Sequence, residues 1–285
     1  MQTISDIQTL QQRCLDARAQ SQSIAFVPTM GFLHQGHLSL LQEGRKKADL
    51  LVLSIFVNPT QFAEGEDLDA YPRDFERDEA LAREAGVDLI FYPTAEMMYP
   101  DGYASYVSLE GPLTNTLEGA SRPTHFRGVT TVVCKLFNIV QPHLSFFGRK
   151  DFQQLAVISR MTEDLNLPVQ VIGMPIVRES DGLAMSSRNV YLSDSERQQA
   201  LSLVDSIRRA TAMVKQGCAD AAKVVDMVRQ RLQQESDLSI DYVKLCHGPS
   251  LEERAEIDAE SVLLLAVRVG KTRLIDNHLL AEDLD

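Results

Sequence analysis

The chain has 285 residues, 44% of them hydrophobic and 24% charged, which is enough to bury a sizeable core and to hold two domains. A formal net charge of -12 argues against a non-specific nucleic-acid binder, which carries a basic face. The longest apolar stretch, residues 50–57, is interrupted by Ser54 and too short to span a bilayer, and no leader-like segment opens the chain.

An amphipathic helix is predicted over residues 4–19, then a buried parallel strand over 24–27. A Pro28-Thr29-Met30-Gly31 turn leads to His34-Gln35-Gly36-His37, and a helix begins near Gly36 and runs to about residue 48. Residues 50–56 form a near-continuous apolar strand of the kind covered on both faces. After a long loop over 57–72 come a helix over 75–85 and a short strand over 89–91. Gly128 opens a helix through 139, and 144–147 is another buried strand. Residues 151–164 are helical and 169–172 are strand. This alternation predicts an α/β fold, a Rossmann-like parallel sheet with right-handed crossovers, over residues 1–175.

Beyond Pro175 the pattern changes. Ser193 with Glu196 is a capping box opening a long helix to about 215, and a second helix covers 221–235. Residues 240–245, 262–269 and 272–275 read as antiparallel strands, the last two joined by a Gly270-Lys271 turn. Residues 176–285 are therefore expected as a smaller α+β domain, a lid or a support. Cys14, Cys134, Cys218 and Cys246 are scattered without C-x-x-C or metal spacing, so free thiols in a reducing cytoplasm are expected.

The chemistry gathers where strands end. His34 and His37 stand at a strand-to-helix junction, the ligand-binding edge of an open α/β sheet. A helix N-terminus there offers N–H groups and a favourable field for phosphate, and Gly36 has no Cβ to keep a phosphate away. Past the next strand, Asn58 and Gln61 are uncharged donors that can hold a carboxylate without neutralising it. In Phe147-Gly148-Arg149-Lys150-Asp151, Lys150 is a point charge placed for phosphate. Asp151 could accept from a ribose diol, and Gln154 follows one turn on. In Asp181 to Asn189, the hydroxyls of Ser186 and Ser187 with the Arg188 guanidinium make a clamp for β- and γ-phosphates. Each segment alone also reads as an ordinary polar turn or connecting loop. Asp67, Asp69, Asp74 and Asp78 read as solvated loop and helix charges.

Taken in order, these segments resemble the pantoate–β-alanine ligase family, in the nucleotidyltransferase superfamily that also holds the class I aminoacyl-tRNA synthetases. The matching pieces are Val27-Pro28-Thr29-Met30-Gly31 with His34 and His37, Ser54 to Pro59 with Gln61-Phe62, and Tyr71-Pro72-Arg73. To these are added Leu117-Glu118-Gly119 with Arg122-Pro123 and His125-Phe126, Phe147-Gly148 with Lys150-Asp151, and Asp181-Gly182 with Ser186 to Asn189. One departure is visible: Arg149 stands where the family usually has Glu, an extra positive charge beside the nucleotide.

The resemblance implies ATP-dependent condensation of pantoate with β-alanine through a pantoyl adenylate, releasing pyrophosphate and AMP. It implies His34, His37 and Lys150 as catalytic groups, with His37 the proton donor. It places ATP on Met30, Gly31, Phe32, Leu33, His34, Gln35, Gly36, His37, Gly148, Arg149, Lys150, Asp151, Val177, Met185, Ser186, Ser187 and Arg188, and pantoate on Gln61 and Gln154. Magnesium is expected on the ATP phosphates with no assigned protein ligand, and a cytoplasmic homodimer without nucleic-acid or membrane partners. A nucleotidyltransferase that leaves the nucleotide on its product is the nearest rival. A tRNA-binding synthetase fragment is disfavoured by the acidic charge balance.

Overall fold

The computed structural model describes residues 1–63 and 65–284; Glu64, inside the expected 57–72 loop, and Asp285 lie outside the described residues. The chain divides into two compact units, residues 1–149 with 157–175, and residues 150–156 with 176–285.

Among the described residues the first unit holds β1 (Gln2–Ile4), α1 (Ile7–Ala19), β2 (Ile24–Thr29), α2 (Gln35–Lys47), β3 (Leu50–Ile55), α3 (Phe75–Glu84) and β4 (Leu89–Phe91). After these come the short helices α4 (Ala95–Met98), α5 (Pro112–Asn115) and α6 (Glu118–Ser121), then α7 (His125–Val140) and β5 (Leu144–Gly148). Helix α8 (Phe152–Asp164) follows, its residues 152–156 belonging to the second unit and the rest to the first, and β6 (Gln170–Met174) ends the sheet. Six strands pair in the order β1-β4-β3-β2-β5-β6, every pair parallel. The apolar runs of β2 and β3 are buried almost throughout because helices cover the sheet, and Leu38, Leu40 and Leu41 of α2 join Ala25, Val27, Leu51 and Leu53 in one core.

The strand order reverses at β2, which has β3 on one side and β5 on the other. At such a switch point the connections leave in opposite directions and open a crevice beyond the strand ends. Three neighbouring strand ends thus deliver the 30–37 segment, Asn58 with Gln61, and Gly148 with Arg149 to one edge of the sheet.

The second unit holds α9 (Asp194–Ala200), α10 (Ser202–Lys215), α11 (Ala221–Leu232), β7 (Leu238–His247), β8 (Ser261–Val269) and β9 (Thr272–Leu279). Its three strands form an antiparallel sheet, β7-β8-β9, with the Gly270-Lys271 turn joining the last two. Leu203 and Ile207 of α10 and Val224 and Val228 of α11 pack with Leu263, Leu265 and Val267 of β8.

Several elements differ from expectation. The opening helix starts at Ile7 rather than residue 4, with Asp6 accepting from Thr9 N as its cap. Residues Gln2–Ile4 instead pair with β4, a strand too short to carry a period of its own. The helix after Ser193 bends at Leu201 into α9 and α10, although its capping box is present. The four-residue helices α4 to α6 leave no mark in the sequence, because a single turn carries no apolar repeat.

No helix of the described residues is long and apolar enough to cross a membrane. All four cysteines are free thiols. Cys14 on α1 and Cys246 on β7 are buried, and burial pushes both thiols up to about 11.

Candidate active site

The segment between β2 and α2 is bent by two left-handed residues, Gly31 (φ +86°) and Phe32 (φ +50°). A Cβ at Gly31 would lie 3.0 Å from both Asp78 Oδ2 and Ile55 Cγ2, so only glycine fits comfortably. Asp78, in the first turn of α3, accepts the N–H groups of Phe32 (2.6 Å) and Leu33 (2.7 Å). It is 1% exposed, which corrects its reading as a solvated charge. Burial pushes its carboxyl up, opposed by those two N–H bonds and by Arg77. The Arg77 guanidinium donates to Leu33 O (2.8 Å) and lies 5.0 Å over the Phe32 ring. The strained turn is therefore held from α3 on both its donors and an acceptor.

That turn presents the two histidines. His34 is the N-cap of α2 and its Nδ1 accepts from Gly36 N (3.2 Å), while His37 Nδ1 accepts from His34 N (3.3 Å). Together they form a capping box built from imidazoles, with ring centroids 4.0 Å apart. An Nδ1 that accepts a backbone N–H cannot itself carry the proton of a neutral ring. Both neutral rings therefore carry it on Nε2, which makes each a donor at a helix N-terminus.

Gln61 closes a short 3₁₀ turn (Pro59–Gln61) beyond β3 and is nearly buried. Gly128 lets this turn press onto α7, since a Cβ there would sit 2.4 Å from Thr60 O. The Gln61 carbonyl accepts from His125 Nδ1 (2.9 Å) and from Arg122 Nη2 (3.2 Å). His125 Nε2 lies 3.2 Å from Arg122 Nη1, so the ring is neutral, protonated on Nδ1 and accepting on Nε2. Arg122 in turn grips Glu66 through two bonds (2.7 and 2.6 Å). Burial pushes the Glu66 carboxyl up, but Arg122 outweighs it and leaves it below the usual carboxylate range.

Burial, with the Arg122 charge beside it, pushes His125 down from 6.5 to about 4. Between those values the unfolded chain takes up a proton that the folded ring refuses. Stability is therefore expected to fall as pH drops from about 6.5 to about 4, by roughly 3 kcal/mol from this group. Denaturant midpoints across that window, compared with His125→Gln, check it. A difference between the two proteins that does not vary with pH would overturn the assignment.

In the second unit, Lys150 and Asp151 precede α8, with Lys150 Nζ 3.4 Å from Asp151 Oδ1. The Lys150 carbonyl accepts from the buried Asn277 Nδ2 of β9 (2.8 Å), which anchors its backbone. Gln154 lies in the first turn of α8. Val177 and Met185 face each other across a small hairpin, with Met185 N donating to Val177 O (3.0 Å) and Arg178 bridging to Ala184. This is no loose connection. Arg178 makes two bonds to buried Asp276 (2.7 and 3.0 Å), and Arg197 reaches both Glu179 (2.5 Å) and Asp181 (2.8 Å). Asn189 Nδ2 ties the far end to Glu179 and Ala184 O. Ser186 caps the 3₁₀ turn Ser187–Tyr191 by accepting from Arg188 N (3.3 Å).

The first unit thus gathers Met30 to His37 with Gln61, Gly148 and Arg149, and the second carries Lys150, Asp151, Gln154, Val177 and Met185 to Arg188. In chemical terms one set offers imidazole and amide donors, and the other an ammonium, hydroxyls and a guanidinium.

A family model described as pantoate-beta-alanine ligase matches residues 2–279. The chain belongs to the pantoate–beta-alanine ligase family. It is 63% identical over 284 residues to the pantothenate synthetase of Syntrophotalea carbinolica, covering 100% of both chains. The crystal structure of pantothenate synthetase from Thermus thermophilus superposes with a TM-score of 0.94 at 44% identity, over 99% of this chain and 100% of that one. The pantoate-beta-alanine ligase of Francisella tularensis, a structure complexed with beta-gamma ATP and beta-alanine, gives a TM-score of 0.81 at 29% identity over 99% of each chain. Membership makes the chain a ligase of this family and disfavours the rival nucleotidyltransferases.

Sequence reasoning misses Asp78, Arg122 and His125 as supports of the candidate site. Arg122 and His125 stand in motifs shared with the family, but their spacing carries no sign that both reach the Gln61 carbonyl. For Asp78 the only signal is a carboxylate in a first helical turn, which usually faces water.

Proposed function

We propose that the chain joins pantoate to β-alanine in two steps. The pantoate carboxylate attacks the α-phosphorus of ATP, a new P–O bond forms, and pyrophosphate leaves with the bonding pair. The free amine of β-alanine then attacks the acyl carbon of the pantoyl adenylate. The amide C–N bond forms, the amine gives up a proton and AMP departs with the electron pair.

The observation that carries this reading is the imidazole capping box, whose two Nε2–H donors stand at a helix N-terminus on the switch-point edge of the sheet. His34 and His37 are assigned to the phosphate oxygens, His37 as proton donor. Lys150 is assigned to the charge at the α-phosphoryl group, in a transfer that depends on positioning and electrostatics more than on covalent help. Ser186, Ser187 and Arg188 take the departing pyrophosphate. Met30, Gly31, Phe32, Leu33, Gln35 and Gly36, with Gly148, Arg149, Asp151, Val177 and Met185, line the nucleotide. Gln61 and Gln154 hold pantoate as uncharged donors, so that its carboxylate keeps its nucleophilicity.

Among the described residues no group of three or more His, Cys, Asp or Glu could cage a metal. The donors above are assigned to phosphate oxygens and not to a metal; a magnesium ion bound to the triphosphate itself would offset the phosphate charge that they leave. The adenylate is labile to water, so residues 176–285 are assigned a covering role over a catalytic domain of residues 1–175. A cytoplasmic homodimer completes the reading, and sedimentation velocity tests the dimer.

The deciding experiment incubates the protein with ATP, magnesium, pantoate and β-alanine. Pantothenate with one AMP and one pyrophosphate per turnover is expected. A product that retains the nucleotide would overturn the proposal.

A further inference from the structure

A carboxamide has an acceptor end and a donor end, and a pocket for a carboxylate needs the donor end outward. We propose that Tyr99 is a positioning residue for the acid substrate, its hydroxyl acting with Thr60 to set the polarity of the Gln61 amide through Asn58. This rests on the assignment of Gln61 to pantoate.

Tyr99 closes α4 and stands in none of the strand-end motifs. Its hydroxyl donates to Asn58 Oδ1 at 2.8 Å. Thr60 Oγ1 donates to the same oxygen at 2.9 Å, and Thr60 N at 3.4 Å. Were the Asn58 amide turned over, its NH₂ would face these donors, in a side chain that is 1% exposed. The Asn58 nitrogen therefore points the other way, where its two protons meet two acceptors, Gln61 Oε1 (3.0 Å) and Gly128 O (3.2 Å).

That commitment fixes the next amide. Gln61 Oε1 is taken by Asn58, so the other end of that amide is the donor Nε2, with one N–H aimed at Met30 Sδ (3.3 Å) and the second assigned to the ligand. The relay runs in one direction, from phenol to Asn58 to Gln61, and ends in a donor. It therefore selects a ligand atom with lone pairs, a carboxylate or hydroxyl oxygen, and rejects an ammonium or amide N–H. Burial pushes the Tyr99 hydroxyl up to about 12, so it remains a donor at neutral pH. The ring itself is wedged against Phe56 (6.3 Å between centroids) and Tyr103 (5.0 Å).

The test is a kinetic double-mutant cycle on Tyr99→Phe, Gln61→Ala and the pair. Tyr99→Phe is expected to raise the pantoate KM about 10-fold, the effect of losing one orienting hydrogen bond, while the ATP KM and kcat stay within about 2-fold. In the Gln61→Ala background Tyr99→Phe should add nothing, because a residue that acts through Gln61 is silent without it. Equal effects in both backgrounds would assign Tyr99 a general structural role and overturn the relay, as would an unchanged pantoate KM in the single variant. If Gln61→Ala itself leaves the pantoate KM untouched, the assignment of Gln61 fails and the relay falls with it. Asn58→Asp is the second variant. It puts an oxygen against Gln61 Oε1 and forces that amide to turn over, so the pantoate KM should rise more than in Tyr99→Phe, and no rise would count against the relay.

Discussion

Lys150→Ala is expected to lower turnover by at least about 10²-fold while the fold stays intact. The two halves of that statement have separate grounds. The backbone at 150 is anchored through its own carbonyl by Asn277 Nδ2, a bond that the substitution does not touch. The side chain ends in an ammonium 3.4 Å from Asp151 Oδ1, a partly exposed ion pair of little worth to stability. What is lost is a positive charge assigned to the α-phosphoryl group, where losing one electrostatic stabiliser typically removes about two to three orders of magnitude in rate. Single-turnover measurement of adenylate formation, with circular dichroism as the control for folding, checks both halves. A variant within a few-fold of the parent would place the α-phosphate on other groups, and the neighbouring Arg149 would be the first to examine.

His37→Ala should lower pantoate-dependent ATP–pyrophosphate exchange by about 10²-fold, the usual magnitude for losing a donor to developing phosphate charge. This side chain does two things, since its Nδ1 also caps His34 N. The loss would therefore mix missing Nε2–H donation with a loosened helix start. His37→Gln separates them, because a carboxamide can accept from His34 N with its oxygen and still donate with its nitrogen. Exchange restored by Gln to within about 10-fold of the parent would fit a hydrogen-bonding role, whereas failure of Gln in a stable protein would fit proton transfer by the ring. Near-normal exchange in His37→Ala would remove the residue from the mechanism.

The parts of this molecule that can be read from the chain are those with a local cause. The apolar runs of β2 and β3 announce strands covered on both faces, and the Leu38, Leu40, Leu41 spacing announces the helix that covers them. Polar residues just past such runs mark the candidate site, because strand ends at a switch point are where ligands reach the backbone. What escapes has a non-local cause. Gln2–Ile4 becomes a strand only because β4, more than eighty residues later, supplies its partner. Asp78 is buried because the bent turn of Gly31 and Phe32 crosses the start of α3 and needs an acceptor there. The support of Gln61 comes from Asn58, Tyr99, Arg122 and His125, brought together by the close passage of Gly128. The segment from Asp181 to Asn189 also reads as a polar connecting loop, and its tie to Arg197 and the bond of Arg178 to Asp276 come from residues that its own spacing does not reveal.

The placement of sulfur has its own consequence for the chemistry open to this chain. Cys14 sits inside the first unit and Cys246 inside the second, each so poor an acid that almost no thiolate exists at neutral pH. Peroxide or an alkylating reagent can reach either sulfur only when its surroundings come apart. Their oxidation would be a record of past local melting, one witness in each half of the molecule, and not a means of controlling the intact enzyme.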